Sequence, residues 1–214
     1  MNLRKVSQPQ KVELAGLIVR GLGETRVLSF RRLAMICSQK CPGDVILKTY
    51  DFARLVRESP IAIVSGFHSP IEKDCLPILM RGLGPVIMVQ AHRLSVSRLP
   101  REWQKAIDAG RLLLLSPFRE NDKRVTTQLA AERNRFVAAI SDELLIPYAA
   151  PGSKTEALAL HMVKSGKRVY TFSDRPGPLL AAGARLVAPE FFSRHCQASG
   201  NQAGEGFDDQ KQPY

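Results

Sequence analysis

The sequence predicts an α/β fold in which helices cover both faces of a doubly wound, mainly parallel sheet. Short apolar runs alternate with amphipathic stretches along the chain, at a spacing of roughly 25 residues. The apolar runs are rich in Val, Ile and Leu without intervening polar residues, which is typical of strands buried on both faces. The chain of 214 residues is long enough to bury a core of its own.

The chain divides into three parts in this prediction. Residues 1–30 are a lead-in segment, 31–196 are one α/β domain, and 197–214 are a disordered tail. The stretch from Val12 to Val19 predicts a short helix, which Gly21-Leu22-Gly23 ends in a turn. The tail is polar, contains glycines and is nearly free of aliphatic residues, so it cannot bury enough apolar surface to fold.

Six strands and five helices are predicted in the domain. The strands are expected over 32–37, 61–64, 86–89, 111–115, 143–147 and 167–172. The helices are expected over 44–58, 69–82, 101–109, 132–142 and 154–165. In a doubly wound sheet the loops that follow the strands line the ligand crevice, so polar residues in those loops are the candidates for a functional site.

The net charge of +11 is the least ordinary property of the composition. Residues 1–60 hold eleven Lys and Arg against five Asp and Glu, whereas residues 127–214 hold ten against nine. The basic excess therefore lies in the first two-thirds of the chain. It predicts an electrostatic surface for nucleic acid, and a basic surface that merely faces solvent is the alternative interpretation.

Several classes of protein are disfavoured by the sequence. The four cysteines show no C-x-x-C spacing and the N-terminus lacks the apolar core of a signal peptide, so reduced thiols and a cytoplasmic location are expected. No run approaches the ~20 apolar residues of a membrane span, so no membrane partner is expected. No metal-ligand spacing and no P-loop are present, so neither a metal nor a cofactor is predicted.

The strongest candidates for a site lie between Glu132 and Ala159. Arg133, Asn134 and Arg135 fall on the predicted central helix, and Gly152-Ser153-Lys154-Thr155 opens the next helix. Free N–H groups at a helix start, beside a hydroxyl and a lysine, suit a phosphate. The two arginines are two residues apart on a helix, so only one can face the crevice, and the apolar residues that share its side favour Arg133.

The same stretch resembles the DNA-processing protein A family (DprA, also called Smf). The resemblance rests on RNR, an apolar tail, SD, an apolar strand and a G-S-x-T turn, with V-S-G at 64–66 and a segment at 179–187 similar to the closing L-I-x-x-G-A of the family. It implies a Rossmann-like domain that binds single-stranded DNA in DNA uptake and natural transformation. It also implies a recombinase as a possible partner, and a homodimer.

Two motifs of the family are altered here. The family carries a Gly-Ser-Arg triplet whose arginine meets DNA phosphate, where this chain has Cys37-Ser38-Gln39 with Lys40 as a partial substitute. The family continues its V-S-G with A-x-G-I-D, where this chain has 67–72 as FHSPIE. In this interpretation Phe67 offers a ring for base stacking. The candidate DNA- or phosphate-binding residues are Ser38, Lys40, Ser65, Gly66, Phe67, Arg133, Asn134, Arg135, Gly152, Ser153, Lys154 and Thr155.

Two other functions stay open at this point, although binding without catalytic turnover is favoured. The stretch is also similar to the LOG family of phosphoribohydrolases, which implies Arg133 and Glu156 as catalytic residues. The turn Pro-Gly-Ser-Lys-Thr-Glu lacks the glycines of that family's P-G-G-x-G-T-x-E, and a glutamate in a first helical turn also suits the helix dipole. The third possibility is a nucleotide-sensing domain of the same fold, with Ser65, Gly66, Gly152 and Ser153 around the ligand.

Overall fold

The computed structural model describes residues 9–94, 99–119, 122 and 124–193, so the tail predicted over 197–214 lies outside the described residues. The strands are β1 Gln10–Leu14, β2 Leu17–Gly23, β3 Arg31–Met35, β4 Ile61–Ser65, β5 Val86–Val89, β6 Leu112–Ser116, β7 Glu143–Leu145, β8 Arg168–Thr171 and β9 Arg185–Leu186. The helices are α1 Gly43–Val56, α2 Pro70–Met80, α3 Arg101–Asp108, α4 Thr127–Ile140, α5 Lys154–Lys164 and α6 Pro178–Ala181, with a 3-10 helix over Thr25–Ser29.

The strands form one sheet in the order β1-β2-β6-β5-β4-β3-β7-β8-β9. All pairings among β3 to β9 are parallel, while β1 with β2 and β2 with β6 are antiparallel. The predicted doubly wound, mainly parallel sheet is therefore confirmed. After the edge strands β1 and β2, the chain enters the middle of the sheet at β3, runs outward to β6, and then returns to β7 on the other side of β3. The carboxyl ends of β3 and β7 thus mark the point where the winding reverses.

The helix predicted from Val12 to Val19 is wrong, because this part of the chain forms the hairpin β1–β2. The turn at Ala15 and Gly16 has φ of 50° and 73°, the left-handed geometry that matches the twist of a two-residue hairpin. β2 then pairs antiparallel with β6, from Arg20 opposite Ser116 onward. The sheet therefore begins at residue 10, ahead of the lead-in boundary expected near residue 30.

An apolar layer covers each face of the sheet, because successive strand residues point to opposite faces. Leu33 of β3 belongs to the layer that contains Phe52 of α1 and Leu79 of α2. Ala34, the next residue, belongs to the layer that contains Val137 of α4. This two-sided burial explains why the parallel strands read as unbroken apolar runs. It also leaves the strand ends as the place where polar side chains can gather.

Candidate functional site

A crevice with a volume of about 790 Å³ opens at the carboxyl ends of β3, β4 and β7. We call it the switch-point crevice, because it lies where the winding of the sheet reverses. Its walls are the loops after β3 and β4, the first two turns of α4 and the start of α5. The candidates that line it are Ser38, Lys40, Arg133, Asn134, Ser153, Lys154 and Thr155. The fold thus brings together residues that lie more than a hundred positions apart in the sequence.

Arg133 is the buried cation of this crevice, with only 3 % of its surface exposed. Its Nε donates to Asn134 Oδ1 at 2.8 Å, and its Nη1 donates to the Gly66 carbonyl at 3.2 Å. Among the described residues no carboxylate forms an ion pair with it. Burial lowers the pKa of the guanidinium, and the nearby charge of Glu72 opposes that shift. The arrangement leaves a desolvated positive charge facing a crevice.

Gly66 makes room for the Arg133 side chain. A Cβ at this position would lie 1.8 Å from Arg133 Nη1 and 2.0 Å from the guanidinium carbon. The φ of Gly66 is not among the positive values of the described chain, so its backbone does not require glycine. The glycine after β4 is therefore needed for the close approach of a side chain from α4, rather than for a tight turn.

Arg135 lies on the other side of α4, as the spacing of the two arginines predicts. It is exposed and lines a second cleft between α4 and α5, which contains Ala157 and His161 but not Arg133. Asn134 lines both this cleft and the switch-point crevice. Arg135 is therefore a solvent-facing cation, whereas Arg133 is part of the crevice.

The serines at the crevice edge are already engaged within the chain. Ser38 Oγ accepts from the Ala150 amide at 2.9 Å and lies 3.2 Å from Ser153 Oγ, in hydrogen-bond contact. Ser153 is the N-cap of α5, and its Oγ accepts from the Glu156 amide at 3.1 Å. These bonds join the loop after β3 to the start of α5, which leaves the exposed Lys40 and Lys154 as the cations of the rim.

Two candidates at and just after the carboxyl end of β4 have structural roles instead. Ser65 is fully buried, and its Oγ donates to Glu72 at 3.3 Å and accepts from the Phe67 amide at 3.0 Å. The expectation that Phe67 presents its ring for stacking is wrong. Phe67 is 6 % exposed, with φ of 46°, and its ring packs into the apolar layer that contains Phe52. Burying so large a ring stabilises the fold more than presenting it to solvent would.

Glu156 does not line the switch-point crevice. It accepts a hydrogen bond from the Gly152 amide at 2.8 Å, and its own amide donates to Ser153, a reciprocal pattern close to a capping box. Gly152 has φ of 69°, which favours glycine in this turn. Glu156 lines a separate cleft of about 270 Å³ with Pro151 and Thr171, and Arg133 is not part of that cleft. The two residues proposed for a hydrolase therefore do not share a site.

Glu72 is an organising residue that sequence reasoning missed. It is 3 % exposed and accepts from the amides of Cys37 and His68, both at 2.9 Å, as well as from Ser65. It thereby ties the loop after β3 to the loop after β4. An acidic residue in the first turn of a helix that follows S-G was the available signal, because such residues accept amide hydrogens. The contact with Cys37 joins residues 35 positions apart and had no local signal.

His68 lines the switch-point crevice. Partial burial lowers the pKa of its imidazole, and the positive charges of Arg133 and Lys73 lower it further.

No group of described residues is placed to hold a metal ion. Among the helices described, each is too short or too polar to cross a bilayer.

The sequence profile of the family described as DNA recombination-mediator protein A matches residues 7–190 of the chain. DNA processing protein A from Helicobacter pylori, solved in a study of its single-stranded DNA binding mode, superimposes with a TM-score of 0.72 at 20% identity, over 90% of this chain and 97% of that one. DNA processing protein A from Streptococcus pneumoniae superimposes with a TM-score of 0.63 at 18% identity. The alignment covers 89% of this chain and 67% of that one.

A molybdenum cofactor binding protein from Rippkaea orientalis has the same general fold. Its TM-score is 0.53 at 13% identity, and the alignment covers 79% of this chain and 97% of that one. No curated protein sequence matches the chain. At these identities the structural likenesses establish the shared fold, while the profile match over residues 7–190 establishes the family.

Proposed function

The chain belongs to the DNA recombination-mediator protein A family, and from this premise we propose that it binds single-stranded DNA in the switch-point crevice. The observation that carries the proposal is Arg133, a buried cation that no described carboxylate neutralises by direct contact. A guanidinium in a desolvated site attracts a phosphate more strongly than one in water, and its planar fork matches two phosphate oxygens. Lys40 and Lys154 add positive charge where a strand would enter.

The lining of the crevice indicates which part of DNA it recognises. No Phe, Tyr or Trp is among the described residues that line it, and Phe67 is packed into the core. Base stacking is the usual second contribution in single-strand binding, so phosphate contacts carry most of the affinity here. Binding is therefore expected to depend little on base sequence and to weaken steeply as salt is added.

The rim lysines provide a test that leaves the fold intact, because Lys40 and Lys154 are both exposed. In the double variant Lys40→Ala, Lys154→Ala we expect affinity for a labelled oligo-dT to fall by about tenfold at low salt, and the salt slope to fall by about 1.4, for two lost single-strand phosphate contacts. Fluorescence anisotropy over a series of salt concentrations measures both quantities.

The matched control for the rim lysines is Lys164→Ala. Lys164 is an exposed lysine in the last turn of α5, outside the lining of the crevice. Its replacement is expected to leave the affinity and the salt slope unchanged. A control loss of about half that of the double variant in free energy, in proportion to one charge removed instead of two, would assign the binding to net charge alone. No binding by the wild-type chain at low salt would refute the proposed function.

Gly66→Ala tests whether the position of Arg133 matters for binding. The added Cβ would collide with the guanidinium, which must move because it is the flexible end of its side chain. We expect oligo-dT affinity to fall by about tenfold in Gly66→Ala, and no further when the same change is made in Arg133→Ala, as expected for two sites that act through one contact. The wild type, the two single variants and the double variant form a double-mutant cycle. Fluorescence anisotropy on these four proteins measures the coupling between Gly66 and Arg133, and additive losses of affinity would contradict that coupling.

Membership of the family is the basis for three finer proposals. We propose that the chain acts in the cytoplasm as a homodimer and delivers its bound strand to a recombinase. Sedimentation velocity at micromolar concentration tests the dimer, and a monomer throughout that range would refute it. Recombinase assembly on DNA that another single-strand binding protein already covers, with and without this chain, tests the delivery.

A further inference from the structure

The hydroxyl of Ser69 is a buried polar group without a partner. Ser69 is the N-cap of α2 and is only 2 % exposed, yet its Oγ makes no hydrogen bond and does not cap the helix. Serine at this position usually accepts from an amide of the first turn, and a buried hydroxyl left alone costs free energy. Ser69 lines the switch-point crevice beside His68. A group of this kind, held at the edge of a crevice, is suited to a ligand.

The first turn of α2 adds backbone donors at the same place. The Lys73 amide bonds back to the Ser69 carbonyl at 3.0 Å, so the amides of Ile71 and Glu72 precede the hydrogen-bonded part of the helix. α2 has 11 residues, and its positive end lies at this turn. Arg133 lines the same crevice and supplies a full positive charge. Amides, a hydroxyl and a guanidinium together form the donor set that binds a phosphate.

The start of α5 differs in the one respect that matters for a ligand. There the N-cap Ser153 already accepts from the Glu156 amide and contacts Ser38, and Glu156 accepts from Gly152. The Ser153 hydroxyl and the amides of Gly152 and Glu156 are therefore bonded within the chain. At α2 the corresponding serine has no such bond. Of the two N-cap serines of this crevice, Ser69 has the unbonded hydroxyl, whereas the hydroxyl of Ser153 is bonded.

Glu72 determines how much negative charge on a ligand the first turn of α2 can accept. Its carboxylate lies close enough to raise the pKa of Arg133 against the effect of burial, and three donors of the two loops hold it in position. A fixed negative charge beside the turn opposes a ligand with two negative charges more than a ligand with one. The singly charged phosphodiester of a nucleic acid backbone therefore fits better than a terminal phosphate.

We propose that the first turn of α2, with the Ser69 hydroxyl and the Arg133 guanidinium, binds one backbone phosphate of a single strand in the switch-point crevice. The source of that phosphate rests on the proposed function, whereas the anion site itself stands on the uncapped helix start. Inorganic phosphate shares the chemistry and serves as an independent probe.

Ser69→Ala is the test, because the hydroxyl it removes makes no bond in the folded chain. We expect its melting temperature to equal that of the wild type, and its affinity for oligo-dT to fall by about tenfold, for one lost hydrogen bond to a charged group. Ser165→Ala is the control, since Ser165 lies at the far end of α5 with its hydroxyl bonded to Met162. Equal oligo-dT affinity in Ser69→Ala and in the wild type would overturn the subsite.

Amide chemical shifts separate the subsite from the proposed function. In the wild type, inorganic phosphate and oligo-dT are each expected to shift the amides of Ile71 and Glu72, and Ser69→Ala is expected to reduce both shifts. If phosphate shifts these amides but the oligonucleotide does not bind, the anion site stands and the proposed function falls. If the oligonucleotide binds without shifting them, the proposed function stands and the subsite falls. If phosphate leaves them unchanged, the subsite is overturned.

Discussion

Arg133→Ala is expected to weaken the binding of oligo-dT at least about thirtyfold, equivalent to about 2 kcal/mol. Arg133 is 3 % exposed and forms no ion pair with a described carboxylate, so a phosphate that reaches its guanidinium gains a strong, poorly screened interaction. The loss should persist at physiological salt, whereas the contribution of the exposed rim lysines fades. Anisotropy at low and at physiological salt measures the difference between these two kinds of contact.

Arg135→Ala is the matched control, because it removes the same charge from the same helix. Arg135 is exposed in the cleft between α4 and α5, so we expect its loss to change the affinity less than about twofold at physiological salt. Arg133→Lys keeps the charge but loses the fork, and we expect it to recover only part of the affinity. Thermal melting must show that all three variants are folded. Equal losses for Arg133→Ala and Arg135→Ala would contradict the assignment of the crevice.

Glu143→Gln is expected to lower the free energy of unfolding by about 3 kcal/mol, without loss of DNA affinity in the folded protein. Glu143 is fully buried at the amino end of β7, at the sheet edge opposite the switch-point crevice. It pairs with Arg31, whose Nε donates at 3.0 Å, and with Arg168 at 2.8 Å, and it accepts from Tyr170 at 3.3 Å. The neutral glutamine side chain of the variant would leave Arg31 and Arg168 close together without a negative charge between them.

Asp142→Asn is the control for this cluster. Asp142 is the neighbouring residue and pairs with Arg32 at 2.8 Å, but 40% of its side chain is exposed, so we expect a loss of about 1 kcal/mol or less. Urea unfolding followed by circular dichroism compares the two variants. A loss below 1 kcal/mol in Glu143→Gln would contradict the stabilising role of this buried carboxylate.

The positions of strands β3 to β8 along the chain, and of the main helices between them, could be predicted from local patterns. Parallel strands such as Ile61–Ser65 are buried on both faces, so they appear in the sequence as apolar runs. The hairpin β1–β2 could not be predicted in this way. Its stretch from Val12 to Val19 is apolar enough for a helix. It is extended because β1 pairs with β2, and because β2 pairs with β6 across about ninety residues.

The candidate site shows the same division between local and distant information. The spacing of Arg133 and Arg135 predicts that one of them faces inward, because side chains two positions apart on a helix point in different directions. The apolar neighbours identify Arg133 as that residue. The ring of Phe67, by contrast, was expected at the crevice and packs in the core, because the packing partners of a loop residue come from other elements.

The sequence by itself determined the α/β class, the family and the inward-facing side of the central helix that carries Arg133, since periodicity and motif are properties of neighbouring positions. Only the tertiary structure decided which of the site residues are bonded within the chain and which are left to bind a ligand. The contact of Gly66 with Arg133 spans 67 positions, and the bond from Cys37 to Glu72 spans 35. Such partners determine which hydroxyl is already satisfied, as at Ser153, and which is left for a ligand, as at Ser69. Hydrogen-bond saturation depends on atoms that only the folded chain brings together.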